Sequence, residues 1–327
     1  MFLDTVRNYW YPIAPASNVT SKPAQFKLLG ETLVAYRDDT GPVVFKDACA
    51  HRGAALSKGW LTNGALTCPY HGWQYDRSGQ CMFIPSLIPG EKIPATAKAA
   101  AYQVREAYGL IWVCHSARQP RFPEWPDAAW GRADFRVFCT GQYVWNANAA
   151  RVLENGLDFS HFNFAHKGLT ELADGPIIKP HVVNSHDELL KLTYDDGHVS
   201  REFTVDFPFI LHNRKRVIRV ENGATWSSNA NSKLNDITTV SLLAAPLSEM
   251  QTMFFGFLAR NHSLDMSDEE FASGFDGVLE QDRGIVESQM PKIIPDDLES
   301  EIHVRYADIG CVAYRRMFKA AKAKVAA

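Results

Sequence analysis

Residues 49–76 read CAHRGAALSKGWLTNGALTCPYHGWQYD, and the rest of the chain is organised around this stretch. Cys49 and His51 are followed by sixteen residues, then by Cys68 and His71. Each turn therefore offers one thiolate and one imidazole. Such a pair of turns can grip a two-iron, two-sulfur cluster, with both cysteines on one iron and both histidines on the other. Two Cys and two His also make a tetrahedral zinc site, but zinc fingers and ribbons space their ligands as Cys pairs or His pairs, whereas each turn here mixes the two. Gly53, Gly59 and Gly72 permit close backbone approach beside inorganic sulfide, and Pro69 stiffens the second turn. Tyr70, Trp73 and Tyr75 read either as lids that hold water off a cluster or as ordinary core.

The same run resembles the Rieske domain in the oxygenase component of Rieske non-heme iron oxygenases. High-potential Rieske proteins carry two further cysteines in these loops, where this chain has Ala54 and Tyr70. The resemblance thus implies a lower-potential cluster fed by a soluble reductase.

With 327 residues the chain is long enough for two ordinary domains and a sizeable core. A hydrophobic content of 46%, a charged content of 22% and a net charge of −3 fit a globular protein with no nucleic-acid role. The start, MFLDTVRNYWYPIAPA, has an early Asp4 and no uninterrupted apolar core, so it reads as neither signal nor transit peptide. No apolar run approaches the ~20 residues that span a bilayer. The expectation is a cytoplasmic protein without membrane segments. Cys81, Cys114, Cys139 and Cys311 lack a framework spacing and read as reduced core thiols.

Residues 1–120 read as an all-β module of short strands at 25–29, 32–36, 43–46, 103–106 and 110–114, with the cluster turns as its tips. Pro120, Pro123 and Pro126 mark a linker, placed at 121–136. A second domain then occupies 137–327. It opens on a helical pattern over 148–165, NAARVLENGLDFSHFNFA, with Asn148 as N-cap. Glu154, Asp158 and His161 fall on one face of that helix. His166 lies five residues beyond His161, about 140° around an unbroken helix, so convergence of the two imidazoles needs a break between them. Lys167, Gly168, Gly175 and Pro176 permit that ending.

Alternating runs between 177 and 258, including Val199, Arg201, Phe203 and Val205, predict an antiparallel meander with turns at Asp196-Gly197 and Asn222-Gly223. A long helix follows over 267–290, capped by Ser267 and stopped by Pro291. Phe271, Phe275, Val278, Leu279, Ile285, Val286 and Gln289 trace its apolar stripe, and Asp282 interrupts it. A carboxylate on a buried face is costly unless it is paired or binds a metal.

His161, His166 and Asp282 make up two histidines and one carboxylate, the set that leaves about three positions of an octahedral ferrous ion free. Taken alone, the D-x-x-H-x-x-x-x-H pattern equally suits hydrogen-bonded core histidines. The family resemblance extends to it: ENGLDFSHFNFAH is similar to the mono-iron motif of these oxygenases, and EQDRGIVESQ resembles their carboxylate-bearing stretch. It implies His161, His166 and Asp282 as Fe2+ ligands, and Asp158 as a bridge that couples a cluster-binding histidine of a neighbouring subunit to an iron-binding one. The tail EIHVRYADIGCVAYRRM looks like that of relatives acting on aromatic or heteroaromatic compounds, O- and N-demethylases among them.

The resemblance as a whole implies an α+β protein. An N-terminal all-β Rieske [2Fe-2S] domain, its cluster held by Cys49, His51, Cys68 and His71, precedes a helix-grip-like antiparallel sheet whose helices carry the mono-iron site. It implies a homotrimeric terminal oxygenase using O2 on an aromatic substrate, monooxygenation or demethylation before dioxygenation. With no G-x-G-x-x-G loop, NAD(P)H chemistry falls to a separate reductase, with or without a ferredoxin. Two alternatives stay open: a Rieske electron carrier with no oxygen chemistry, and a metal-dependent hydrolase using the cluster structurally. Phe164 and the strands around Trp226 and Phe255 are candidate pocket walls. Arg214-Lys215-Arg216 reads as a solvated strand end, and His181, His186, His198, His212, His262 and His303 as structural.

Overall fold

Two compact units make up the computed structural model: Arg7–Phe122, and Met1–Val6 together with Pro123–Ala327. The structure describes residues 2–326 apart from 117–119, 126–128, 168, 170, 171, 173, 174, 221–232 and 296. The Asn222-Gly223 turn, Gly168 and Trp226 therefore lie outside the described residues.

The first unit is all-β. Its strands are β1 (Trp10–Pro15), β2 (Ala24–Leu28), β3 (Glu31–Asp38), β4 (Gly41–Lys46), β5 (Trp60–Thr62), β6 (Ala65–Thr67), β7 (Gln74–Tyr75), β8 (Cys81–Phe83), β9 (Gln103–Ala107) and β10 (Leu110–Cys114). They form three antiparallel sheets, ordered β1-β10-β9, β2-β3-β4 and β5-β6-β7-β8. One cluster turn precedes β5 and the other joins β6 to β7. Val34, Tyr36, Phe45, Leu56, Leu66 and Tyr75 form the core beneath them, and Cys49 and Cys68 are buried in it. Each such fully buried apolar side chain contributes about 1.5–3 kcal/mol. That is what holds the two tips at fixed spacing.

The second unit is built on a seven-stranded antiparallel sheet ordered β11-β17-β16-β15-β14-β13-β12. The strands are β11 (Arg136–Trp145), β12 (Val182–His186), β13 (Leu189–Asp195), β14 (Val199–Asp206), β15 (Ile210–Val217), β16 (Ile237–Ser248) and β17 (Gln251–Arg260). Helices α2 (Ala149–Leu157), α3 (Phe162–Ala165), α4 (Asp268–Ser288) and α5 (Ile309–Ala326) accompany it. The short α1 (Phe2–Thr5) also belongs here, because the Phe2 ring packs 6.1 Å from Phe209 and 5.8 Å from Phe318. Gly156 lets α2 approach the sheet closely: a Cβ there would come within 2.6 Å of the Leu211 Cδ2 on β15, which would have to shift. Glu154 turns into the fold and pairs with Arg315 at 2.6 Å, in a buried network shared with Arg151 and Glu301. Among the described residues no helix is long and apolar enough to cross a membrane.

The helix expected over 148–165 is two helices. The first ends at Leu157, and Asp158 takes an extended conformation whose side chain accepts a hydrogen bond from Ser160 N at 2.7 Å. The break thus falls before His161, not between His161 and His166. Local side-chain-to-backbone bonding of this kind competes with helix continuation. Glu154 accordingly does not share a face with Asp158 and His161.

Candidate metal centres and the active-site cavity

The two cluster turns repeat one backbone design. Cys49 N donates to Ala54 O at 2.8 Å and Gly53 N to Cys49 O at 2.8 Å; Cys68 N donates to Trp73 O at 2.8 Å and Gly72 N to Cys68 O at 3.1 Å. Gly53 and Gly72 hold matching positive φ of 69° and 70°, a region that other residues rarely enter. The result is two pairs of donors. Cys68 hydrogen-bonds to Cys49 on the buried side, and burial pushes its thiol pKa up. On the exposed side His51 Nδ1 and His71 Nδ1 lie 3.2 Å apart. Among the described residues these four do not converge within 4.8 Å as a single-ion site needs, whereas a pair of thiols facing a pair of imidazoles suits a two-metal cluster.

The aromatics flanking the turns take distinct places. The Tyr75 phenol accepts from Ala50 N at 3.2 Å, which leaves its proton for Cys49 Sγ at 3.0 Å. Trp73 stacks on His51 with centroids 4.6 Å apart. Tyr70 leans on His71 but is 62% exposed.

In the second unit α3 and α4 bring together the other donor set. His161 and His166 flank α3, and Asp282 projects from the middle of α4. His161 Nε2 and His166 Nε2 are 3.1 Å apart, and Asp282 Oδ1 lies 3.2 Å from the latter and 3.6 Å from the former. Cis ligands bonded at about 2.1 Å with right angles would be separated by roughly 3.0 Å. Asp282 Oδ1 is buried without a hydrogen bond, as an atom awaiting a cation would be. Burial disfavours charge on His166, but its contacts with Asp282 and Gln281 outweigh this and raise its pKa.

The outer nitrogens are held separately. His161 Nδ1 lies 3.4 Å from Asp158 Oδ2, and His166 Nδ1 lies 2.9 Å from Gln281 Oε1. Burial opposes the ionised form of Asp158, yet hydrogen bonds from His161 and Ser160 keep its pKa below the usual range. Both partners accept a proton on Nδ1, which leaves the Nε2 lone pairs turned towards Asp282.

These three donors open onto a cavity of about 480 Å3 between the sheet and α4. Its apolar wall includes Phe162, Val240, Leu258, Phe271, Phe275 and Leu279. The size is within the roughly 300–1,000 Å3 of small-molecule sites.

The Rieske [2Fe-2S] domain pattern matches residues 9–98, and the vanillate O-demethylase oxygenase C-terminal domain pattern matches 145–324. Methylxanthine N1-demethylase NdmA of Pseudomonas putida is 31% identical over 97% of this chain and 89% of its own length. The chain belongs to the Rieske non-heme iron oxygenases. Solved structures agree. NdmA of P. putida CBB5 with caffeine superposes with a TM-score of 0.82 at 28% identity, covering 97% of this chain and 91% of that one. NdmB of the same strain gives 0.82 at 25% identity, with 96% and 90% coverage. As a Rieske oxygenase component the chain is an oxidoreductase whose cofactors are a Rieske cluster and a mononuclear iron.

Against this family frame several residues sit differently from the sequence expectation. Phe164 is 72% exposed and outside the cavity, and the fully buried Phe255 does not line it. Lys215 and His262 do line it, so neither the solvated reading of the one nor the purely structural reading of the other describes its position. Cys139 is exposed rather than core. Ile285 of the predicted stripe is also exposed, with Ala272, Leu279, Asp282 and Val286 the buried residues of α4. Sequence reasoning misses Gln281. Its only signal was adjacency to Asp282.

Proposed function

We propose that this chain is the terminal oxygenase of a multicomponent system. It hydroxylates an aromatic or heteroaromatic small molecule, or removes an O- or N-methyl group by hydroxylating it, with O2 and with electrons from a separate reductase. The observation that carries this reading is the triangle of His161, His166 and Asp282 ligand atoms on the wall of an apolar cavity. In this proposal those three residues hold Fe2+, while Cys49 and Cys68 hold one iron of the cluster and His51 and His71 the other. The ferrous ion supplies dioxygen activation and the cluster supplies electrons, two electrons and two protons accompanying each O2 as one oxygen atom enters substrate and the other leaves as water.

The protein's own part is positional. Asp158 and Gln281 each fix a histidine tautomer from the far side of the ring. The apolar wall orients a flat ring and excludes water. An electron carrier would need neither cavity nor triad.

Asp158 is proposed as the bridge between subunits of a homotrimer. Two exposed apolar surfaces support an assembly. Beside the His51/His71 tip, Trp60, Tyr70, Met82, Phe83 and Ile88 are exposed; near His161, Phe164, Ile177, Ile285 and Val304 are exposed around a shallow depression. A tip of one copy seated on the depression of another forms a heterologous contact, which closes as a three-membered ring when each copy is turned by a third of a revolution from the last. A cytoplasmic setting goes with a reductase that draws on NAD(P)H. In the test, purified chain and a surrogate reductase are supplied with methoxylated, N-methylated and unsubstituted aromatics while oxygen uptake and iron are measured. Three irons per chain and substrate-dependent uptake are expected. Two irons with no uptake leaves only the carrier, and two irons plus zinc points to a hydrolase.

A further inference from the structure

We propose that the substrate of this site carries a carboxylate, and that Arg201, seconded by Lys215, binds it. The proposal rests on the oxygenase reading only for what happens to the molecule once bound.

Arg201 on β14 lies directly across from Lys215 on β15, and Lys215 across from Thr238 on β16. Residues directly opposite in antiparallel strands share a face, and all three line the cavity that His161, His166 and Asp282 also line. Arg201 is only 3% exposed, yet its Nε and Nη2 have no hydrogen-bond partner. Those two N–H groups form one edge of the guanidinium, the edge whose spacing matches the two oxygens of a carboxylate. The guanidinium also sits 5.2 Å from the Phe162 ring, the residue next to His161. A buried cation with two idle donors is costly to fold, so its presence asks for an anion that arrives later.

The surroundings favour the same ligand. Burial first, then the nearby Arg201 charge, draw the Lys215 ammonium down to about 8, against an opposing pull from Asp196; at neutral pH it is still mostly charged, and an incoming anion would hold it so. Asn213, two residues along the same strand, has a buried Oδ1 with no hydrogen bond and also lines the cavity. Acidic groups nearby are engaged elsewhere or lie at the rim. Asp236 accepts from Lys233 N at 2.7 Å, Asp196 accepts from His198 N and Val199 N, and Glu270 sits exposed in the first turn of α4. Asp196 offsets part of the charge on Arg201 and Lys215 without bonding the two idle donors, and a neutral ring carbonyl would occupy only one of them. A carboxylate uses both donors, while the attached ring meets Phe271, Phe275 and Leu279.

The test uses the whole chain with cluster absorbance and iron content verified. Titration calorimetry compares benzoate, 4-methoxybenzoate and indole-3-carboxylate, each with its amide. Each carboxylate that binds is expected at least tenfold tighter than its amide. Arg201→Gln should lose at least tenfold for carboxylates and under twofold for amides, and Lys215→Met about threefold for carboxylates alone. Because Arg201 loses no hydrogen bond, only its contact with the Phe162 ring and the longer-range attraction of Asp196, Arg201→Gln should melt close to the parent without ligand, and carboxylates should raise the Tm of the parent only. Equal binding of acids and amides, binding of none, or unaltered carboxylate binding by a destabilised Arg201→Gln variant overturns the clamp. Oxygen uptake run in parallel separates the two readings. Uptake with neutral aromatics and no preference for acids removes the clamp and keeps the oxygenase; carboxylate binding without uptake from any compound does the reverse.

Discussion

Replacing Gln281 by Leu should weaken mononuclear iron binding while leaving the cluster intact. Gln281 Oε1 lies 2.9 Å from His166 Nδ1, and the His166 ring is 1% exposed. Leu is close to Gln in size and takes the acceptor away, so the Nδ1 proton is left in a site that water does not reach. Leaving one buried donor unpaired costs about 1–3 kcal/mol. At about 1.4 kcal/mol per decade this is roughly a 5- to 150-fold loss in affinity, bracketing the roughly 10–100-fold typical of groups that orient metal-binding histidines. The assay is chelator competition for Fe2+, with visible absorbance reporting the cluster separately. Gln281→Glu, which keeps an acceptor and adds charge, should bind iron at least as tightly as the parent. An Fe2+ affinity within twofold of the parent for the Leu variant would refute the orienting role assigned to this contact.

Other outcomes follow from the same geometry. Asp282→Ala should drop iron from three to two per chain and abolish substrate-dependent oxygen uptake with the cluster spectrum unchanged. Tyr75→Phe removes the donor to Cys49 Sγ; a hydrogen bond to cluster sulfur of about 1 kcal/mol corresponds to a potential lower by roughly 40 mV, read by redox titration. Glu154→Ala takes one of two carboxylates from the buried Arg315 and Arg151, which keep Glu301, and calorimetry should show a loss of about 1–3 kcal/mol. The Glu301 carboxyl is opposed by burial, but Arg151 and Arg315 hold its pKa below the usual value. Its contribution is therefore complete above the unfolded value of about 4.3 and fades as pH falls through the folded one, so Glu301→Gln should flatten the acid limb of a stability-versus-pH curve.

The cluster turns were legible because everything they need is local: two ligands per turn and a glycine that can take positive φ. Asp282 was legible for a different reason, as a carboxylate interrupting an apolar stripe. Arg201, on a strand face with Val199, Phe203 and Val205, and Lys215, on one with Leu211 and Val217, interrupt apolar faces in the same way, but the first reads simply as part of an alternating strand and the second as part of a solvated basic run. A strand-period reading separates Lys215 from Arg214 and Arg216, although the three look like one basic run. The break before His161 was harder to see. Leu157, Phe159 and Phe162 continue a plausible helical pattern, and only the Asp158 to Ser160 N bond shows why the backbone leaves it. Strands β5–β8 span two or three residues each, too short to display a period. Gln281 carried no pattern at all, since its contact with His166 exists only once α3 and α4 pack.

Diffraction from crystals of the loaded protein at the iron absorption edge addresses the ligand assignment most directly. The account expects three anomalous peaks per chain: two close together between the Cys49/Cys68 pair and the His51/His71 pair, and a third bonded to His161, His166 and Asp282. A chain with its cluster peaks present and no peak among those last three side chains, in crystals grown with excess Fe2+, would contradict it.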